Sequence, residues 1–173
     1  MDVFETIEKR REVTSFKEKA ISKSDLERIL DAGYLSPSGN NLPSREFVLV
    51  TNRKQLVHLS NATPFMPWLK EAAAGVVVTG RPDISKYWLQ DASIACGFMW
   101  LAAVELNLGA AFGAIYHAQD EEESMRREDY VRKTLSIPAD RKIIAVLGFG
   151  YPEHQPPKKT LLPREDIVRY ETF

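Results

Sequence analysis

Two segments of the 173-residue chain carry groups that could bind a small ligand. In the first, Arg10 and Arg11 are adjacent, and guanidinium groups suit a phosphate because each can donate two parallel hydrogen bonds to its oxygens. The same arginines could instead form surface ion pairs with Glu8 and Glu12. Taken alone, the residues leave both interpretations open.

The second segment covers residues 36–44, with the sequence Ser-Pro-Ser-Gly-Asn-Asn-Leu-Pro-Ser. Its prolines, glycine and asparagines exclude both a helix and a strand ladder. Its amides and hydroxyls could present donors to a planar heterocycle. An ordinary connection between a helix and a strand is the competing interpretation.

No side chain has the setting that hydrolytic or metal chemistry requires. Cys96 lies within an apolar run and is expected to fill the core rather than act as a nucleophile. The histidines, His58, His117 and His154, have no nucleophile or carboxylate at a useful spacing. We therefore assign no catalytic side chain and no metal ligand.

Composition narrows the class of protein further. The chain has 23 Lys plus Arg against 24 Asp plus Glu, a net charge of −1, so it lacks the basic character of nucleic-acid binders and polybasic membrane proteins. The longest uncharged apolar run, residues 92–104, spans only about 20 Å as a helix, which is too short for a bilayer. A single cysteine cannot form an internal disulfide. We expect a cytoplasmic protein that binds neither nucleic acid nor membrane.

The hydrophobic pattern predicts the elements that position these segments, within one domain over residues 1–173. Apolar residues at helical spacing predict an opening helix and a second helix that starts at a capping box of Ser24 and Glu27. The other predicted elements are strands over residues 46–51, 75–79, 110–115 and 142–147, and helices over residues 54–60, 85–108 and 121–135. This order predicts a central sheet wrapped by helices.

Two features of the pattern indicate a partner subunit. The helix over residues 85–108 is apolar on nearly every side between Ala92 and Val104, so we expect it in the middle of the fold. From residue 148 the chain becomes a proline-rich arm, which we expect to lie across another subunit rather than in its own core.

Four motifs in register resemble the FMN-dependent nitroreductase family. Residues 10–16, Arg-Arg-Glu-Val-Thr-Ser-Phe, are similar to the family's Arg-Arg-Ser-Ile-Arg-x-Phe opening, and residues 36–42 resemble its Ala-Pro-Ser-x-x-Asn loop. Residues 91–95 and 106–109 resemble its long core helix and the Gly-Leu-Gly that ends that helix. Residues 147–152 and the Pro-Pro-Lys tail resemble its closing strand and arm, so the similarity covers essentially the whole chain.

The resemblance implies an α+β fold with a central mixed β-sheet flanked by helices. It also implies a homodimer that is held by the long core helix and by exchange of the C-terminal arms, residues 148–173. Two FMN molecules at the subunit interface would each touch both chains. The implied FMN contacts are Arg10, Arg11 and Lys159 at the phosphate, Pro37, Ser38 and Asn41 of the other subunit along the flavin ring, and the backbone amides of Gly113 and Ala114 near flavin N5.

The activity that the resemblance implies is that of a flavin-dependent oxidoreductase. FMN would accept hydride from NADH or NADPH and pass electrons to a small acceptor such as a nitroaromatic, quinone or enal. Because no separate nucleotide domain is expected, donor and acceptor would use one slot in turn, which gives ping-pong kinetics. Candidates to line that slot are Phe65, Met66, Trp68 and Phe112, with core or dimer packing as the alternative for each.

Three positions depart from the family pattern: Glu12 replaces a serine, Thr14 a second base and Leu161 an arginine. A carboxylate about 6 Å from a phosphate charge costs roughly 3 kcal/mol at an effective dielectric near 20. We therefore predict that Glu12 turns away to pair with an arginine and that FMN binds weakly. Two alternative functions follow: a degenerate member that binds a flavin or other ligand for regulation or storage, and a flavin-dependent dehalogenase-type branch.

Overall fold

The computed structural model describes residues 2–173, which form an α+β fold. In chain order the elements are α1 (Val3–Lys9), α2 (Lys23–Tyr34), β1 (Arg45–Val50), α3 (Arg53–Leu59), β2 (Ala74–Gly80), α4 (Trp88–Glu105), β3 (Gly109–Ala114), α5 (Glu121–Leu135), β4 (Lys142–Gly150) and α6 (Arg164–Ile167). Within the described residues, no helix combines the length and the hydropathy needed to cross a membrane. Every predicted helix and strand is present, and α5 has its predicted bounds.

The four strands form one sheet in the order β1-β2-β4-β3, and all neighbouring strands are antiparallel. The predicted α+β class is confirmed. The parallel pairing expected of a mixed sheet is confined, over residues 2–173, to an isolated bridge between Glu12 and Ala110. Strands β2 and β4 lie in the centre, where their apolar runs are buried on both faces. Strand β3 is therefore an edge strand with one side open.

Helices cover both faces of the sheet. On one face α3, α5 and the turn Pro67–Lys70 pack into one apolar cluster, and on the other α2 and α4 pack into a second. Cys96 lies in the second cluster, where burial raises the pKa of its thiol to about 12. The prediction that Cys96 fills the core is confirmed, because its side chain is 2% exposed within this cluster. A thiol with a pKa raised this far stays protonated near neutral pH and is a poor nucleophile.

Helix α4 is shorter than predicted by three residues at each end, and its own chain covers it on one side. Ile94 and Phe98 remain exposed on the other side, although the helix is apolar almost all round. Val3, Phe4 and Ile7 of α1, which packs against α4, are exposed as well. We call these five residues the α1–α4 face. Exposed apolar residues grouped in this way are typical of a surface that another molecule covers.

Helix α2 begins two residues earlier than predicted, with Ser22 as its N-cap. The Ser22 hydroxyl accepts a hydrogen bond from the Asp25 N–H (3.1 Å) and donates one to the Asp25 carboxylate (2.8 Å). The predicted pair, Ser24 and Glu27, has the same three-residue spacing. The spacing alone therefore did not distinguish the two possible starts.

Strand β4 is three residues longer than predicted, because residues 148–150 continue the ladder instead of opening the arm. The tail then crosses its own protomer, where the Lys17 N–H donates to the Tyr151 carbonyl (2.8 Å). Residues 158–173 are almost entirely exposed. The part of the arm that could reach another subunit is therefore shorter than predicted.

Candidate functional site

The open edge of β3 presents backbone groups that no neighbouring strand covers. The backbone N–H and C=O groups of the odd-numbered residues point towards β4, since the Ile115 N–H donates to a β4 carbonyl (3.0 Å). Even-numbered residues face the opposite way, since the Ala110 carbonyl accepts from the Val13 N–H (3.0 Å). The regular alternation of a strand therefore directs the backbone groups of Phe112 and Ala114 towards the open edge.

The two predicted amide donors have different positions on β3. Gly113 pairs with Val146 inside the sheet, and a Cβ atom at Gly113 would lie 2.0 Å from the sulphur of Met66. Ala114 is exposed, and in the part of the chain that the structure describes its N–H has no hydrogen-bond partner. The Ala114 amide is thus the donor available to a ligand, while Gly113 leaves room for core packing.

Arg11 is bound to the backbone of its own chain. Its Nη1 atom donates to the carbonyls of Glu8 and Arg10 (both 2.7 Å), and its Nε atom donates to the carbonyl of Pro157 (3.0 Å). Arg11 thereby joins the end of α1 to the start of the arm. These bonds occupy three of its five N–H donors and leave Nη2 for a ligand.

Arg10 lies beside two stacked aromatic rings. Its guanidinium carbon is 4.9 Å from the centroid of the Trp100 ring, and the Trp100 and Phe112 rings stack with centroids 6.4 Å apart at an interplanar angle of 10°. The Trp100 Nε1–H donates to the Arg11 carbonyl (3.2 Å), which fixes the indole. A cation–π contact uses the face of the guanidinium, so the N–H groups of Arg10 can still bind an anion.

Glu12 lies on the same open edge. Its carboxylate accepts a hydrogen bond from the Phe112 N–H (3.4 Å), and over residues 2–173 it forms no ion pair with an arginine. The prediction that Glu12 pairs with an arginine is therefore wrong. The chain runs beside β3 at this point, through the bridge between Glu12 and Ala110, so an edge N–H is closer to the carboxylate than a guanidinium is.

The loop over residues 36–44 is held by a buried carboxylate that the sequence did not single out. Asp91, in the first turn of α4, is 3% exposed and accepts hydrogen bonds from the Gly39 N–H (2.8 Å) and the Ser44 hydroxyl (2.5 Å). A buried carboxylate needs such donors to replace water. An acidic residue directly before a long apolar run was the available signal.

The predicted loop residues differ in how open they are to a ligand. The Ser38 hydroxyl donates to the Leu42 carbonyl (2.8 Å) and so closes the loop on itself. Pro37 and Asn41 are exposed, and Asn41 has a positive φ of 55°. Ser38 and Asn41 line a groove of about 420 Å³ with the end of α2. Of the three predicted loop residues, Pro37 and Asn41 are therefore more accessible to another molecule than Ser38 is.

Within one chain, this loop lies away from the arginines. Asp91, which holds the loop, and Trp100, which contacts Arg10, are nine residues apart on α4, or about 14 Å along the helix axis. One protomer therefore holds Arg10 and the loop at different points along α4.

Lys159 follows closely in sequence after Pro157, the arm residue that contacts Arg11. Its side chain is exposed, and Pro157, two residues earlier, accepts the Arg11 hydrogen bond. The arm thus starts beside the segment that carries Arg10.

The four candidate slot residues divide between core and surface. Met66 and Trp68 are buried under the sheet, with Met66 against Gly113 and the Trp68 ring against Gly148. For these two, the core-packing alternative is confirmed. Phe65 is 76% exposed, and Phe112 is partly exposed on the stack with Trp100. Phe65 and Phe112 therefore remain as possible contacts for a ligand.

Comparisons with known proteins identify the family of this chain. The Nitroreductase family matches residues 7–81 and 60–151 of the chain. A proposed NADH dehydrogenase/NAD(P)H nitroreductase of Archaeoglobus fulgidus is 34% identical over 84% of this chain and 83% of its own. An iodotyrosine deiodinase of Thermotoga neapolitana is 26% identical over 99% of this chain and 98% of its own.

The fold comparison extends over nearly the whole chain. An FMN-dependent nitroreductase of Clostridium difficile superposes with a TM-score of 0.89 at 25% identity, covering 99% of this chain and 100% of the other. The predictions of family and of enzyme class are both confirmed. The chain belongs to the nitroreductase family and is an oxidoreductase.

Proposed function

We propose that this protein is an FMN-dependent NAD(P)H oxidoreductase that works as a homodimer. The observation that carries the proposal is the unpartnered Ala114 N–H on the open edge of β3, two residues along the strand from Phe112, whose ring stacks with the Trp100 ring beside Arg10. A protein tunes a flavin by hydrogen bonds near its ring nitrogens and by charge around it. Strand β3 offers a backbone donor at Ala114, and the stack of Trp100 and Phe112 connects the same strand to the Arg10 guanidinium.

The residues of this chain have distinct roles in the proposed site. Proposed phosphate ligands are Arg10 and Lys159, with Arg11 aligning the arm and offering Nη2. The Ala114 amide faces the flavin edge, and Gly113 lets the strand pack closely against Met66. Along the flavin ring lie Pro37, Ser38 and Asn41 of the second protomer. When bound, FMN supplies the hydride acceptor, so no catalytic side chain is required.

Two observations support the homodimer. The loop over residues 36–44 and Arg10 lie apart in one chain, so a site that needs both requires a second copy. The α1–α4 face is exposed and apolar, with Phe98 43% exposed, as expected of a surface that a partner covers. Leu161, Leu162 and Ile167 of the arm are also exposed and suit contact with that partner.

The proposed catalytic cycle has two half-reactions at one position. With FMN bound, NADH or NADPH would lie over the flavin, give up a hydride and leave as NAD⁺ or NADP⁺. A small acceptor such as a nitroaromatic, a quinone or an enal would then take the same position and receive the electrons. This order predicts ping-pong kinetics, with parallel lines in double-reciprocal plots.

The first experiment is to purify the protein, record its visible spectrum, and titrate the flavin-free protein with FMN and with riboflavin. Saturable FMN binding, together with NAD(P)H oxidation that accelerates when a nitroaromatic or quinone is added, supports the proposal. A colourless protein that binds no added FMN overturns it. FMN binding without NAD(P)H oxidation instead supports the alternative of a degenerate member that stores or senses flavin.

Reductive dehalogenation is the second candidate, favoured by the similarity to the Thermotoga neapolitana iodotyrosine deiodinase over nearly the full length of both chains. The assay is iodide release from iodotyrosine by the FMN-loaded protein with dithionite as electron donor. Iodide release faster than nitroaromatic reduction would move the assignment to this branch.

A further inference from the structure

Arg127 of α5 is a buried arginine that reaches the end of β3. Its side chain is 9% exposed, and its Nη1 atom donates to the Ala114 carbonyl (3.1 Å). Its Nε atom donates to the Glu123 carboxylate (2.7 Å). The guanidinium therefore joins the first turn of α5 to the last residue of the edge strand.

The preceding arginine provides a natural comparison. Arg126 donates to the same Glu123 carboxylate (2.6 and 2.8 Å), but its side chain is 51% exposed and its other contact is the Ala62 carbonyl (3.3 Å). Both arginines neutralise Glu123, whereas the contact with β3 belongs to Arg127. An effect that comes only from losing the ion pair with Glu123 should therefore appear when either arginine is substituted.

Burial makes the Arg127 contact costly to lose. A buried guanidinium is tolerated when its fork is matched by acceptors in fixed positions, and here these are a carboxylate and a backbone carbonyl. Removing the guanidinium would leave the Ala114 carbonyl without this partner. That carbonyl and the unpartnered Ala114 N–H flank the same Cα atom and point to the same open edge, so a displacement of the Ala114 backbone moves both.

We propose that Arg127 is a positioning residue for the flavin, because it holds the end of β3 so that the Ala114 N–H faces the cofactor. This inference rests on the proposed function, since it takes FMN to be the ligand of that N–H. Arg127 itself acts through the backbone of Ala114 and does not contact the flavin. Glu123 in turn fixes the guanidinium from the other side.

The test compares Arg127→Met with Arg126→Met in the full-length protein. Hydrogen–deuterium exchange is measured on the flavin-free protein, at the Gly113 and Ile115 amides that face β4. FMN affinity and the midpoint potential of bound FMN are measured on the loaded protein. Arg127→Lys, which keeps the charge but cannot span both acceptors, completes the series.

For Arg127→Met, we expect faster exchange at these two amides and about tenfold weaker FMN binding, the size of a lost charge-assisted hydrogen bond. The midpoint potential should become more negative, because a misplaced donor stabilises reduced flavin less. Arg127→Lys should fall between Arg127→Met and wild type, and Arg126→Met should match wild type in all three measurements.

Wild-type affinity and potential in Arg127→Met would overturn the inference, and so would equal losses at both arginines. If Arg127→Met does not fold, Arg127→Lys decides by the same criteria against Arg126→Met. Failure of the wild-type protein to bind FMN would overturn the proposed function and this inference together. FMN binding by wild type with an unaffected Arg127→Met would overturn this inference alone.

Discussion

The open edge of β3 and the loop over residues 36–44 form the two backbone surfaces of the proposed site, and the protein holds them in different ways. Strand β3 pairs with β4 along its whole length, and at its outer side the Val13 N–H and Arg127 hold its two ends. The loop has no ladder. Hydrogen bonds from Gly39 and Ser44 to the Asp91 carboxylate take its place.

This difference determines how the conformation of each surface should respond to a substitution. A ladder distributes the constraint over many bonds of modest individual strength, so the loss of one side chain should disturb the strand only near the point that this side chain holds. The loop has two hydrogen bonds that end on one buried carboxylate, so both are lost when that carboxylate is removed. Substitutions at Asp91 and on β3 should therefore differ in both size and character.

The largest effect should come from Asp91→Ala, which removes the acceptor for two loop hydrogen bonds in a buried setting. We expect a loss of about 3 kcal/mol in the free energy of unfolding, since hydrogen bonds to a charged group are worth more than neutral ones. Urea denaturation measures this loss. The matched control is Asp83→Ala, at an exposed aspartate paired with Arg81, where we expect less than about 1 kcal/mol. Similar losses at both aspartates would contradict the role given to Asp91.

Phe98→Asp tests whether the two surfaces meet across a dimer. A carboxylate in the middle of a buried apolar interface is poorly solvated, so dimerisation should weaken by about a hundredfold or more. Sedimentation equilibrium of wild type and variant gives the dissociation constants. Phe65→Asp, at an exposed phenylalanine away from the α1–α4 face, should leave the assembly unchanged. A Phe98→Asp protein that sediments as the wild-type dimer would place the interface elsewhere.

Local signals explain why the elements could be predicted from the sequence. Helix α5 matches its predicted bounds because Asp120 caps its start, where its carboxylate accepts from the Glu123 N–H (2.9 Å), and basic residues occupy its last turn. The capping box of α2 was misplaced because two serine–acid pairs with the same spacing lie within a few residues. The end of β4 was missed because glycines usually interrupt a strand, whereas Gly148 and Gly150 here make room for Trp68 and Phe16.

Contacts between distant parts of the chain explain what could not be predicted. Arg11 and Pro157 are 146 residues apart, and no pattern in either segment indicates that one binds the carbonyl of the other. In sequence, Asp91 looks like any acidic residue in the first turn of a helix, and its burial and hydrogen bonds depend on the loop that packs over it. Glu12 faces an edge N–H instead of an arginine because its segment runs beside β3. The residue types of the site were accessible from sequence, but their pairing depends on tertiary structure.

Gly113→Ala should disturb β3 itself, which the ladder otherwise protects. The added methyl group would lie 2.0 Å from the Met66 sulphur, so either the strand or the buried methionine has to move. We expect a loss of about 2 kcal/mol in the free energy of unfolding. The same substitution in a Met66→Ala background should cost much less, because the clash is then removed. Equal costs in both backgrounds would show that Met66 does not limit this position.

Arg10→Met should weaken FMN binding by about tenfold through the loss of a phosphate contact. Its effect should depend on the phosphate, so the affinity for riboflavin should stay at the wild-type value. Arg28→Met, which removes an exposed arginine of α2 that pairs with Glu105, is the matched control for loss of one positive charge. A parallel loss for FMN and riboflavin would indicate that Arg10 supports the aromatic stack instead of binding the phosphate.

The smallest effect should appear in acid, at the ion pair that supports the end of β3. Hydrogen bonds from Arg126 and then Arg127 lower the pKa of Glu123 from 4.5 to about 2. Because the folded-state pKa lies below the unfolded value, the pair contributes stability above about pH 4.5, and that contribution is lost as the pH falls towards 2. Urea denaturation of wild type across this range should therefore show a steeper decline than in Glu123→Gln. Glu122→Gln, in the same helical turn but outside the pair, should follow wild type. If the free energy of unfolding of Glu123→Gln falls with pH as steeply as that of wild type, acid does not act on the end of β3 through this carboxylate. The support of the strand must then come from the contact of Arg127 with the Ala114 carbonyl alone.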